Sequence, residues 1–79
     1  MKTIKVEYFA VLRERAGFPD ETIETEAETA SDLYAQLKHR HNFPELASLK
    51  VAINDEFGDW NAVLRNGDSV VFIPPVAGG

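Results

Sequence analysis

Only one segment of this chain, Thr29 to His41, has the length and periodicity of a full amphipathic helix. Thr29 with Asp32 three positions on gives a capping-box start, Leu33, Tyr34 and Leu37 form an apolar stripe above Ala30, and Asn42-Phe43-Pro44 closes the helix. One such helix covers one face of one sheet. The 79 residues therefore predict a single small domain, near the size at which only about 60% of the unfolded surface is buried.

The remaining segments read mainly as strands. Thr3 to Phe9 alternates, with Ile4, Val6 and Tyr8 on one face and Lys5, Glu7 and Phe9 on the other. Ala10 to Ala16 is rich in helix formers and stops at Gly17, which predicts a short helix. After a turn at Pro19-Asp20, Glu21 to Glu26 reads as an acidic edge strand. A loop containing Leu46 and Leu49 leads to a short strand over Lys50 to Asn54, a turn at Asp55-Glu56-Phe57-Gly58, and a brief extended piece near Trp60. Leu64 is expected beneath the sheet. Asn66-Gly67-Asp68 is a strong turn signal ahead of Ser69 to Ile73, the most hydrophobic strand and so a central one. Strand pairs on both sides of one helix give an α+β domain, a mixed sheet packed on one main helix. The arrangement that fits is a β-grasp, with the first and last strands adjacent and parallel through a long right-handed crossover. A ferredoxin-like fold needs a second full helix, and Asp59 to Leu64 is too short for one. The expected division is a domain over 1–73 and an extended tail over 74–79.

Charge and composition exclude several functions. Thirteen acidic and eight basic residues give a net charge of −5, which opposes binding to nucleic acid and favours steering towards a basic protein surface. There is no Cys, hence no thiolate nucleophile and no cysteine-based zinc site. The N-terminus enters an alternating pattern at once, and no stretch has the length of a membrane span, so neither a signal peptide nor a membrane span is expected and the cytoplasm is the default location. His39 and His41 point to different sides of the helix and read as surface residues near its C-terminus, favoured there by the helix dipole. Glu24, Glu26 and Glu28 read as a solvated face. Asp55, Glu56 and Asp59 lack the spacing of a calcium loop. Ser31, Ser48 and Ser69 have no nucleophile-elbow context. No metal site is expected, and the chain is not expected to catalyse a reaction alone.

Chemistry concentrates instead at Pro74-Pro75-Val76-Ala77-Gly78-Gly79. Proline fixes φ and biases the residue before it towards extended geometry, so the root of this tail is stiff. Gly78 and Gly79 have no side chains to obstruct a narrow channel. Six residues reach about 18–20 Å, enough to deliver the Gly79 α-carboxylate into another protein's active site. That carboxylate is ionised at neutral pH, being a group that titrates near about 3.5, and is a poor electrophile until another enzyme activates it. Phe9, Phe72 and Val76 are the candidates for an apolar partner patch.

The ending Val70-Val71-Phe72-Ile73-Pro74-Pro75-Val76-Ala77-Gly78-Gly79 after Asn66-Gly67-Asp68, with Tyr8-Phe9-Ala10 and Arg13-Glu14-Arg15-Ala16-Gly17 near the start, resembles the MoaD family, the small subunits of molybdopterin synthase. The resemblance spans nearly the whole chain, with its specific motifs at the two ends. It implies a ubiquitin-like β-grasp fold and a Gly79 that is adenylated by a MoeB-like, E1-related enzyme using ATP and magnesium, neither held by this chain. A sulfur donor protein then converts it to a thiocarboxylate. Threaded into a MoaE-like large subunit, with Gly78 permitting passage, it gives its sulfur to cyclic pyranopterin monophosphate, in a heterotetramer of two small and two large subunits. Other readings of a Gly-Gly ending are a thiamine-type sulfur carrier, a ubiquitin-like modifier joined to lysine, or a β-grasp interaction module.

Overall fold

Alternation in the first segment becomes β1 (Lys2–Tyr8), in which Ile4, Val6 and Tyr8 are buried and Thr3 and Lys5 exposed, in a computed structural model that describes residues 1–44 and 48–74. The chain then reverses into α1 (Val11–Ala16). This helix starts one residue later than the composition suggests, because Ala10 has φ 52°, outside the helical region. Gly17 ends it at φ 89°, a left-handed value that glycine adopts without strain, and its N–H donates to the Arg13 carbonyl.

β2 (Asp20–Thr25) pairs antiparallel with β1, and α2 (Ala30–His41) follows. Both halves of the predicted capping box are present: the Thr29 hydroxyl accepts from Asp32 N–H, and the Asp32 carboxylate accepts from Thr29 N–H. Asn42, at φ 57°, closes the helix with its N–H on the Lys38 carbonyl. Ala30, Leu33 and Leu37 are fully buried against the sheet.

β3 (Lys50–Ile53), β4 (Glu56–Phe57) and β5 (Ser69–Ile73) complete a sheet in the order β2-β1-β5-β3-β4. β5 is central and runs parallel to β1 and antiparallel to β3. This is the β-grasp topology read from the sequence: a mixed sheet, one main helix on one face, and the acidic β2 at an edge. Leu64 is buried in the same core. Among the described residues no helix is long and apolar enough to cross a membrane.

The fourth strand departs from expectation. The extended piece lies at Glu56–Phe57, and Trp60 stands in a turn. The reversal comes earlier than Gly58 because Asn54 and Asp55 take φ 52° and 71°, making a two-residue hairpin that these residue types tolerate. Leu46, expected in the preceding loop, lies outside the described residues.

Candidate functional site

The parallel register between β1 and β5 decides where the chain's last segment leaves the domain. Val6 pairs with Val70, Glu7 with Val71 and Tyr8 with Phe72, while Ile73 pairs with Lys50 across the other edge of β5. Both strands run towards the same end of the sheet. β5 therefore delivers Pro74 beside Phe9 and the start of α1. Pro74 is buried. Lacking an N–H, it cannot donate to either neighbour of a central strand, which is why the ladder stops at Ile73. Pro75, Val76, Ala77, Gly78 and Gly79 lie outside the described residues.

Beside this root, Phe9 is 37% exposed. The Arg13 guanidinium lies 5.8 Å from its ring centroid, and Arg13 Nε donates to the Tyr8 carbonyl at 3.4 Å. The guanidinium thus covers one face of the ring and leaves a cation next to an apolar surface.

Phe72 requires a correction. It was assigned to a partner patch, yet it is fully buried, with its ring 5.1 Å from that of Tyr34 and stacked 6.0 Å from that of Trp60. The pairing gives the reason: residues directly opposite in neighbouring strands share a face, and Tyr8 opposite Phe72 points to the helix. The outer face takes the other parity. Its row runs Glu7, Val71, Ala52, Phe57 across four strands. Phe57 is 75% exposed, an apolar ring at the end of a row that includes half-buried Val71. Reading Asp55 to Gly58 as a turn gave Phe57 no face. The available signal was the Asn54-Asp55 pair, because a two-residue hairpin pairs Ile53 with Glu56 and Ala52 with Phe57.

A second correction concerns His41. Its Nε2 is 2.8 Å from Glu21 Oε2, and its ring packs against Tyr8, Phe18 and Phe43, so it ties the end of α2 to β2 instead of standing in solvent. His39 is exposed, as expected. The same Glu21 oxygen accepts from the Tyr8 hydroxyl at 2.5 Å. Burial first, and that hydrogen bond second, push the Tyr8 phenol far above its ordinary range. Burial also raises Tyr34, whose hydroxyl has no partner among the described residues. Both phenols hold their protons at neutral pH. Among the described residues no three His, Cys, Asp or Glu side chains stand together as a metal site. What the described residues offer is a central strand that ends at a buried proline and exposed aromatic rings at Phe9 and Phe57.

Comparison with known proteins agrees with this picture. The model of the ThiS family matches residues 6–79. The chain is 39% identical to the molybdopterin synthase sulfur carrier subunit of Chlamydomonas reinhardtii over 83 residues, covering 96% of this chain and 98% of that one. Among solved structures it resembles a putative molybdopterin converting factor subunit 1 from Pyrococcus furiosus, with a TM-score of 0.80 and 34% identity over 96% of this chain and 100% of that one. It also resembles a chain in the complex of subunits 1 and 2 of the molybdopterin-converting factor from Helicobacter pylori, with a TM-score of 0.67 and 26% identity over 98% and 99% of the two chains.

Proposed function

The chain belongs to the ThiS family, and from that premise we propose that it serves as the sulfur carrier subunit of a molybdopterin synthase. The observation that carries the reading is the near full-length match to molybdopterin synthase sulfur carrier subunits. The fold suits it: the central strand β5 is followed directly by Pro74, the last described residue before the Gly-Gly ending, and Phe9 and Phe57 stand exposed for a partner.

In this reading the reacting group is the Gly79 carboxylate. A MoeB-like enzyme holding ATP and magnesium joins a carboxylate oxygen to the α-phosphorus and expels pyrophosphate. A persulfide on a donor protein attacks the acyl carbon and AMP leaves; a thiol of the donor then attacks the resulting acyl disulfide, forming a protein disulfide and freeing the Gly79 thiocarboxylate. The Pro74-Pro75 root limits the conformations lost when the tail threads into a large subunit, and Val76, Ala77 and Gly78, which carry small side chains or none, follow Gly79 through the passage. The sulfur then passes to cyclic pyranopterin monophosphate. Side chains of the large subunit supply the proton transfers, since the described residues offer no activated base at the exit. This chain is thus a sulfurtransferase subunit acting in the cytoplasm, without activity alone, in an assembly of two small and two large subunits. Docking uses Phe9 and the outer-face row ending at Phe57, in place of Phe72.

Intact-protein mass spectrometry after incubation with a MoeB-like enzyme, ATP and a sulfur donor tests the reading. The expected result is exchange of one oxygen for sulfur, localised to Gly79, and its loss in a chain ending at Gly78. No exchange with an enzyme active on another carrier would overturn it.

A further inference from the structure

The Asn66-Gly67 turn carries a chemistry that sulfur transfer does not use. We propose that Asn66 is a latent deamidation site which the folded chain holds shut through Thr3. The residue is exposed and is followed by glycine, so no side chain hinders attack of the Gly67 nitrogen on the Asn66 amide carbon. Nothing stands within 4 Å of where a Cβ on Gly67 would lie, which leaves solvent base free to approach. Asn42, Asn54 and Asn61 are followed by Phe43, Asp55 and Ala62, whose side chains crowd the same attack.

In the fold both reacting groups are engaged. Gly67 N–H donates to the Thr3 carbonyl at 2.8 Å, and Asn66 Oδ1 accepts from Thr3 N–H at 2.7 Å. The two effects oppose each other. A donor on Oδ1 polarises the carbonyl and favours attack, whereas a hydrogen-bonded N–H keeps the proton that must leave before the nitrogen is nucleophilic. The second decides, because a polarised carbonyl without its nucleophile does not react. The clamp also extends the parallel ladder one step before its first pair, Lys5 with Ser69. It opens when the beginning of β1 separates from the turn, the kind of local opening that strand ends undergo.

The reaction itself needs only water. Solvent base takes the Gly67 amide proton, the nitrogen bonds to Asn66 Cγ, and the Cγ–Nδ2 bond breaks to release ammonia. Water then opens the succinimide at one carbonyl to give aspartate or at the other to give isoaspartate. Isoaspartate places an extra methylene in the main chain, after which the two contacts to Thr3 cannot both re-form.

Peptide-mapping mass spectrometry with isoaspartate detection, on the full chain in mildly alkaline buffer with and without urea, tests the proposal. In urea, Asn66 should deamidate faster than any other asparagine. In buffer it should be at least about tenfold slower, the factor for a turn closed in about nine molecules of ten or more. Thr3→Pro removes one of the two bonds that close the turn, keeps the carbonyl that accepts from Gly67 N–H, and spares the β1–β2 ladder, because Thr3 N–H and C=O both face the turn. Held by one bond the turn opens more often, and since only the open turn reacts, the native rate should rise above that of wild type while staying below the urea rate. If that variant does not fold, the wild-type comparison decides alone. Equal rates in buffer and urea, or another asparagine leading in urea, would overturn the proposal.

Discussion

Truncating Phe57 should separate docking from folding. The ring is 75% exposed on a two-residue edge strand, opposite Ala52 on the sheet face away from α2. A phenylalanine offers on the order of 200 Å² for burial, so about 150 Å² of it remains for a partner to cover. At about 25 cal/mol per Å² this is on the order of 3–4 kcal/mol. Ordering the ring on association and the Cβ left by Phe57→Ala both lower the measurable loss, to about 2–3 kcal/mol. Isothermal titration of the large subunit should then show Kd raised roughly 30- to 160-fold, while the unfolding midpoint moves by no more than about 0.5 kcal/mol in equivalent stability. Val63→Ala is the internal control. Val63 is 69% exposed but belongs to the segment that bridges to Thr29 at the start of α2. Binding of Phe57→Ala within about twofold of wild type would refute the assignment of the outer face to docking.

Phe72→Ala should behave in the opposite way. It empties the stack between Tyr34 and Trp60 and should cost about 3–5 kcal/mol, much of the total stability of about 5–15 kcal/mol usual for a domain. Urea unfolding reads this directly, and a variant of near wild-type stability with weakened large-subunit binding would return Phe72 to the interface. Tyr8 gives an alkaline dependence. Its native phenol titrates above the unfolded value of about 10, so its contribution is complete below about pH 10 and fades as pH rises from there towards the native value. Comparing wild type with Tyr8→Phe in urea titrations from about pH 8 to 11 isolates it from Tyr34, which both chains keep. Parallel loss of stability in the two would contradict the shift.

Local rules were legible in the residues themselves. Thr29 with Asp32, the Ala30-Leu33-Leu37 stripe and Asn42 mark the main helix from one end to the other, and Gly17 marks the stop of the short one, because caps and periodicity act between residues a few positions apart. The apolar run at Ser69–Ile73 identified the central strand, because a strand flanked on both edges buries Val70 and Phe72 completely and half-buries Val71 and Ile73. The Gly-Gly ending and the MoaD-like motifs pointed to the same family that the comparisons show. Alternation, however, says only that neighbouring residues in a strand face opposite ways. It does not say which set faces the helix, and that choice was made by pairing Tyr8 with Phe72 across strands more than sixty positions apart in sequence. The same holds for Phe57, which received a face only when the hairpin at Asn54-Asp55 set its register, and for His41, whose partner Glu21 lies on another element. The sequence by itself determined both helices, every strand but the fourth, and the family. The tertiary structure alone decided which aromatic rings are core and which are surface, since that depends on contacts between segments that no local pattern encodes.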